Sequence, residues 1–159
     1  MVHVFSPALF FLILFNQTGC GLLNRHDPHS LEQEILHLVN GHRKSLDLAD
    51  LLWNDLIAEL CRQHSKRMAS GTISFSHDGF DNRVAVISQT FASAEIKENI
   101  GYVVDVWGIT SPSRRVFDAW LGNVSHREAI EGNFDLMGIG AAGSGSTYYF
   151  TQIFLRKQR

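Results

Sequence analysis

Two of the eight histidines, His77 and His126, lie in polar segments whose residue types could build a chemical site. His77 falls in residues 75–80 (FSHDGF) and His126 in residues 123–127 (NVSHR), and Glu98 stands between these two segments. Neutral imidazoles bind divalent metals, and a carboxylate can orient a bound water or complete the ligand shell. Because the three segments are far apart along the chain, their spacing alone does not link the three side chains.

The other six histidines fit simpler roles. His64 falls on the apolar side of a predicted helix, where a histidine is more often a core residue with one satisfied hydrogen bond than a ligand. The remaining five are assigned to the N-terminal segment, to the polar stretch after it, or to a helix surface: His3, His26, His29, His37 and His42.

The composition predicts one globular domain. The chain has 159 residues, of which 45% are hydrophobic, and this length is sufficient to bury a core. Its 14 basic and 16 acidic residues give a net charge of −2, so no basic surplus indicates nucleic-acid binding. Two cysteines, Cys20 and Cys61, are too few for a disulfide framework or for a zinc site built from paired cysteines.

Residues 1–19 predict an export signal that is separate from the fold. Their long apolar run is shorter than the roughly 20 residues that a membrane-spanning helix needs. The letters QTGC that end at Cys20 resemble the bacterial lipobox, in which the cysteine is lipidated and becomes the mature N-terminus. We therefore expect a lipid anchor at Cys20, a polar tether over residues 20–29 and a folded domain over residues 30–159.

Helical periodicity predicts four helices, and the first two carry clear boundary signals. The first has Ser30 as its N-cap, with Gln33 completing a capping box, and runs to about Lys44. The second begins near Asn54 and stops at Gly71.

Residues typical of helix starts predict the later helices, and the alternation of apolar and polar residues predicts the strands. A short third helix is predicted over residues 81–88, and the fourth has Ser111 as its N-cap and Pro112 at its first position. Three strands are predicted at residues 100–106, 136–141 and 147–155, the last two joined by a turn at 143–146.

Taken in order, the motifs of the chain resemble the CAP superfamily (cysteine-rich secretory proteins, antigen 5 and pathogenesis-related-1 proteins) in its short bacterial form. The ordered set is ILHLVNGHR at 35–43, LWNDL at 52–56, FSH at 75–77, ENIG at 98–101, Trp120 with SHR at 125–127, MGIG at 137–140 and YFTQIF at 149–154. Each motif is weak alone, but their order is specific. The resemblance covers about residues 31–155 and implies an α/β fold: an α–β–α sandwich with a small, mostly antiparallel sheet between helical layers.

The resemblance also implies a cleft. His77 and His126 match the two cleft histidines of the family, and Glu98 matches the acid of its Glu-Asn-[Leu/Ile] motif. The second acid of the family falls at Asn123 in this chain, so we expect an incomplete cleft in which Asn123 and Ser125 accompany the other three residues.

Two chemistries remain open for this cleft. His77 and His126, with or without Glu98, would bind zinc or another divalent metal. Alternatively, Glu98 would pair with a protonated histidine and form a buried polar latch without turnover.

Two functions follow from these chemistries. The first is an exported, membrane-anchored domain that binds an envelope ligand (a lipid, a peptide or a protein) through the cleft without catalysis. The second is a metal-assisted hydrolase of peptides or envelope polymers that uses His77, Glu98 and His126. A serine hydrolase is disfavoured, because no Gly-x-Ser-x-Gly motif marks Ser76 or Ser125.

Overall fold

Five helices and four strands follow one another in the computed structural model, which describes residues 26–105 and 108–158. In chain order they are α1 (Pro28–Ser45), β1 (Leu52–Trp53), α2 (Asp55–Ala69), α3 (Phe80–Thr90), β2 (Ser93–Val104), α4 (Pro112–Gly122), α5 (Val124–Glu131), β3 (Leu136–Ser144) and β4 (Thr147–Lys157).

The strands form one mixed sheet with the order β1-β3-β4-β2. The short β1 pairs parallel to β3, whereas β3–β4 and β4–β2 are antiparallel. Ser144 pairs with Thr147 across a two-residue turn that contains Gly145 at φ +58°, a conformation that glycine adopts without steric cost. The predicted hairpin and the mostly antiparallel sheet are therefore confirmed.

Helices cover both faces of the sheet. On one face, α1, α4 and α5 bury a core with the sheet that includes Ile35, Trp120, Ile130, Met137 and Phe150. On the other face, α2 and α3 pack a smaller cluster that includes Ile57, Cys61, Ile87, Ile153 and Leu155. The expected α–β–α sandwich is confirmed.

Helix α2 approaches β3 unusually closely because the strand carries glycines at the crossing. A Cβ atom at Gly140 would overlap the backbone of Arg62, and one at Gly138 would overlap the backbone of Ala58. Side chains at these two positions would push α2 away from the sheet, together with every residue that α2 positions.

Two predicted N-caps are confirmed and one is wrong. Asn54 Oδ1 accepts a hydrogen bond from the backbone N–H of Ile57 at 3.1 Å, and Ser111 caps α4. Ser30, however, lies inside the first turn of α1. Asp27 is the actual cap and accepts from the Ser30 N–H at 2.9 Å, because the intervening Pro28 occupies the first helical position that proline favours.

The sequence prediction missed two elements and misplaced the start of a third. Helix α5, which carries His126, was not predicted, and neither was the two-residue strand β1. Strand β2 begins at Ser93 instead of residue 100. Its first part carries charged residues that form cross-strand pairs, such as Glu95 with Arg156 at 3.1 Å, so it lacks an apolar signal.

Within residues 26–105 and 108–158, no helix combines the length and apolar character that crossing a membrane requires. The predicted export signal and Cys20 lie outside the described residues. Of the predicted tether, residues 26–29 are described, and Pro28 and His29 already belong to α1.

Candidate functional site

The structure brings two of the three predicted site residues into direct contact. His77, in the loop before α3, has its Nδ1 at 2.9 Å from Oε1 of Glu98 on β2. The Glu98 side chain is only 1% exposed, whereas that of His77 is 51% exposed. A buried carboxylate therefore holds one side of a ring whose remainder faces solvent.

The principal partner of Glu98 is a residue that the sequence reasoning missed. On α3, Arg83 donates from Nε to Oε2 and from Nη2 to Oε1, both at 2.7 Å. This is a bidentate guanidinium–carboxylate pair, the geometry in which such bonds are strongest. No local signal in the sequence marks Arg83, because its partner is 15 residues away on another element.

His64 on α2 extends this network on the far side of Arg83. Its Nε2 lies 2.9 Å from the Ser76 carbonyl, and its Nδ1 lies 3.1 Å from Nη1 of Arg83. The carbonyl only accepts and the guanidinium only donates, so Nε2 carries the proton and the ring is neutral. Burial lowers the pKa of His64, and the positive charge of Arg83 lowers it further. The prediction of a hydrogen-bonded core histidine is confirmed.

The loop that carries His77 is held at three consecutive residues. His64 binds the Ser76 carbonyl, Glu98 binds the His77 ring, and Arg83 Nη1 donates to the Asp78 carbonyl at 3.0 Å. His77 is exposed but anchored, because its own contact and those of both chain neighbours are made to buried groups.

His126 reaches this region from the opposite helical layer. Its backbone carbonyl accepts from Nδ2 of Asn99 at 3.1 Å, which fixes α5 against β2. Partial burial lowers the pKa of His126, and the charge of the nearby His77 lowers it further. In the described part of the chain, no hydrogen bond joins the His126 ring to Glu98, so the two histidines are related by proximity and not through a shared carboxylate.

The other two predicted cleft residues serve α5 or face solvent. Asn123 is the N-cap of α5, and its Oδ1 accepts from the His126 backbone N–H at 3.2 Å. Ser125 is exposed in the first turn of the same helix. The position where the family places its second acid therefore holds a residue that orients the His126 backbone.

The donors available here do not fit a three-ligand metal centre. Among the residues that the structure describes, no group of three or more His, Cys, Asp or Glu side chains is placed to hold a metal ion. Both oxygens of Glu98 are bound by Arg83, and His77 Nδ1 faces one of them. The nitrogens that remain belong to His77 and His126, and metal binding by this pair stays a prediction.

Exposed aromatic rings extend the surface beside His77. Phe75, two residues before His77, packs edge-on against Tyr102 with ring centroids 5.0 Å apart. Tyr102 in turn lies 6.1 Å from Tyr149 on β4. Tyr102 projects from the same face of β2 as Glu98, because the two positions are four residues apart in one strand. A large ligand at His77 would therefore meet an apolar surface.

Known proteins share both the sequence pattern and the fold. The CAP family (Cysteine-rich secretory protein family) matches residues 36–154. An extracellular SCP-domain protein from Bacillus anthracis is 25% identical with a TM-score of 0.64, and the match covers 82% of this chain and 41% of that one. This chain thus spans about two fifths of the length of the Bacillus anthracis protein.

Two further structures share the fold at lower sequence identity. An outer surface protein of Borrelia burgdorferi is 20% identical with a TM-score of 0.65, over 84% of this chain and 97% of that one. A cysteine-rich secretory protein from Staphylococcus aureus is 20% identical with a TM-score of 0.61, over 84% and 41% of the two chains. No curated protein sequence matches significantly. The family match spans most of the chain, and the chain has the α–β–α sandwich described above. The chain belongs to the CAP family.

Proposed function

We propose that this chain is an exported CAP domain that binds a ligand or partner through the cleft of His77, Glu98 and His126, and that it does so without catalysis. The observation that carries this proposal is the bidentate pair of Arg83 with Glu98. Both oxygens of this carboxylate accept from the buried guanidinium, and one of them also accepts from His77, so about three of its four lone-pair sites are occupied. Glu98 is then an anchor for His77 and not a free base or metal ligand.

The exposed part of His77 suits recognition. Its Nδ1 is bound to Glu98, and its Nε2 has no hydrogen-bond partner in the described part of the chain. The Glu98 carboxylate only accepts, so Nδ1 carries the proton and Nε2 of the neutral ring can accept a hydrogen bond from a ligand. The neighbouring rings of Phe75 and Tyr102 would contact the apolar part of the same ligand. This combination fits an envelope lipid, a peptide or a protein segment.

The hydrolase alternative requires a different state of the same residues. Glu98 would have to leave Arg83 in order to polarise water or complete a metal shell. That step would leave the buried guanidinium without its carboxylate, which is costly. The geometry therefore favours binding over turnover.

A test of binding compares the intact chain with single substitutions in the cleft. Envelope extracts are passed over immobilised wild type, His77→Ala, His126→Ala and, as a matched control, His37→Ala on the exposed side of α1. Retained lipids and proteins are then identified by mass spectrometry. We expect a species that wild type and His37→Ala retain and that both cleft variants lose. Identical retention by all four proteins would overturn the proposal.

Anchoring in the envelope is a separate part of the proposal. It is supported by the lipobox-like letters before Cys20 and by relatives described as extracellular or outer surface proteins. Cells expressing the chain would be labelled with radioactive palmitate, with and without globomycin. We expect label on wild type, no label on Cys20→Ser, and accumulation of the longer precursor when globomycin is present. An unlabelled wild-type chain would rule out the anchor.

A further inference from the structure

A cavity of about 240 Å³ lies between α2 and α3, away from the cleft. Arg83 and His64 line it, whereas Glu98, His77 and His126 do not. Nothing in the proposed function uses this cavity, although it borders the network that anchors His77.

The charged side chains that line the cavity are both arginines. Arg83 is buried and is balanced by Glu98, but Arg67, near the end of α2, is exposed. In residues 26–105 and 108–158, no carboxylate lies within 4.0 Å of the Arg67 guanidinium. The lining therefore carries positive charge with no acidic group of its own.

The charge of Arg67 acts inside the cavity. After burial and Arg83, which have larger effects, Arg67 contributes to lowering the pKa of His64 in the cavity wall. Arg83 already donates to Glu98 and to Nδ1 of the neutral His64, so Arg67 is the guanidinium left to an incoming anion.

The remaining polar lining consists of side-chain amides. Gln63 on α2 and Asn82 on α3 face the cavity from its two sides. Nε2 of Gln63 donates one N–H to Glu59 at 3.2 Å and keeps a second N–H. Amide N–H groups donate to anionic oxygens without adding charge. Together with a guanidinium fork, they match an anion with several oxygens, such as a phosphate group.

The size and the apolar lining limit what accompanies the anion. The volume is below the usual range for sites of drug-sized ligands, roughly 300–1,000 Å³. Leu60 and Val86 supply apolar surface beside the arginines. The space thus suits a phosphate group with a short organic portion.

We propose that the cavity between α2 and α3 binds the phosphate group of a small organic phosphate ester, with Arg67 as its principal contact. The site is distinct from the cleft, so this inference does not depend on the proposed function. The same phosphate chemistry is found in soluble esters and in lipid headgroups.

The chain offers a closely matched control for Arg67. Lys66 is its neighbour on α2, is also exposed, and lines a different cavity beside α1. Arg67→Gln and Lys66→Gln therefore remove the same charge from adjacent positions, and only the first removes it from the proposed site.

The test measures binding of glycerol 3-phosphate to the purified chain by calorimetry and by amide chemical shifts, with inorganic phosphate and acetate as comparison anions. We expect saturable binding at millimolar concentrations or below, with shifts confined to α2 and α3 and with acetate weaker than either phosphate. Arg67→Gln should weaken binding roughly tenfold, the usual effect of losing one charge-assisted hydrogen bond. Lys66→Gln and His37→Ala should change it less than about twofold.

A vesicle measurement distinguishes a lipid headgroup from a soluble ester as the source of the phosphate, and two results would contradict the site. Co-sedimentation with phosphatidic acid vesicles, lost in Arg67→Gln, would support the site with a lipid headgroup as ligand. Binding of the soluble ester without sedimentation would support it with a soluble ligand. Equal weakening by Arg67→Gln and Lys66→Gln would overturn the proposal, because it would show only long-range charge attraction. Absence of saturable binding would also overturn it.

Discussion

Arg83 and Glu98 form a buried, two-pronged ion pair that joins α3 to β2, with both N–O distances at 2.7 Å. Each group is almost completely removed from water, with side-chain exposures of 8% and 1%. Removing one member of such a pair leaves an uncompensated charge in the interior, which costs far more than the loss of a surface pair.

Arg83→Gln should therefore destabilise the fold strongly. We expect the free energy of unfolding in urea to fall by about 3 kcal/mol, because Glu98 would stay buried without a counter-charge. The double substitution Arg83→Met with Glu98→Leu should recover part of this loss, because no charge then remains buried.

Arg114→Gln provides the control for this experiment. Arg114 also pairs with a carboxylate: its Nε faces both oxygens of Asp118, at 2.9 and 3.0 Å, but both side chains are about half exposed on α4. Its substitution should scarcely change the urea midpoint. If Arg83→Gln proved equally mild, the buried pair would not be the anchor proposed for His77.

Acid should destabilise the folded chain below about pH 6.5, the ordinary histidine value. The pKa values of His64 and His126 are lowered on folding, mainly by burial, so between the folded and unfolded pKa values the unfolded chain binds more protons. The histidine contribution is fully present above the unfolded pKa and is lost as pH falls through the folded pKa. For His64 the slope is at most about 1.4 kcal/mol per pH unit.

Urea titrations at several pH values between 5 and about 7.5 would measure this slope, because histidine titrates within that pH range. His64→Gln removes the titrating ring but keeps an N–H group for Ser76, so the slope should decrease. His37→Gln on the exposed side of α1 should leave it unchanged. An equal slope in wild type and His64→Gln would show that His64 does not contribute.

Gly140→Ala should weaken the packing of α2 on the sheet. Its Cβ would overlap the backbone of Arg62, which cannot rotate away as a side chain can. We expect a loss of about 3 kcal/mol in the free energy of unfolding. Gly41→Ala within α1, where a Cβ meets nothing within 4 Å, should instead stabilise by about 0.5–1 kcal/mol. Equal effects at both sites would contradict the close approach of α2.

Zinc titration tests the remaining prediction of a metal site. If His77 and His126 bind Zn²⁺ together, His77→Ala and His126→Ala should each lower the affinity at least about tenfold, whereas His37→Ala should not. Calorimetry with proton-release measurement detects this, because imidazoles must be neutral to bind. Zinc affinity that survives loss of both rings would place any metal elsewhere.

A zinc-loaded chain that cleaves no member of a peptide library would contradict the hydrolase alternative.

Local signals predicted much of the fold. Asn54 and Ser111 were identifiable because an N-cap acts on a backbone N–H only a few residues away. Helix α5 was missed because it has eight residues and buries only Ala129 and Ile130, which is too little for a periodic pattern. Strand β1 was missed because two residues cannot show alternation.

The candidate site was only partly predictable for the same reason. The family resemblance identified His77 and Glu98, and the structure places them in contact. Arg83 was overlooked because its bonds to Glu98 and His64 join separate elements, and an arginine in a short helix resembles a solvated surface residue. Non-local pairs of this kind become visible only when the topology is known.

The adjacent residues Glu98 and Asn99 connect strand β2 to both helical layers. Their side chains leave β2 on opposite faces: Glu98 binds Arg83 in one helical layer, and Asn99 binds the His126 carbonyl in the other. These two neighbouring residues therefore attach both helical layers to the edge strand β2. Separating the layers at this edge would break both contacts, so a ligand at His77 and His126 would meet a backbone held on both sides, with exposed rings that can rotate to fit it.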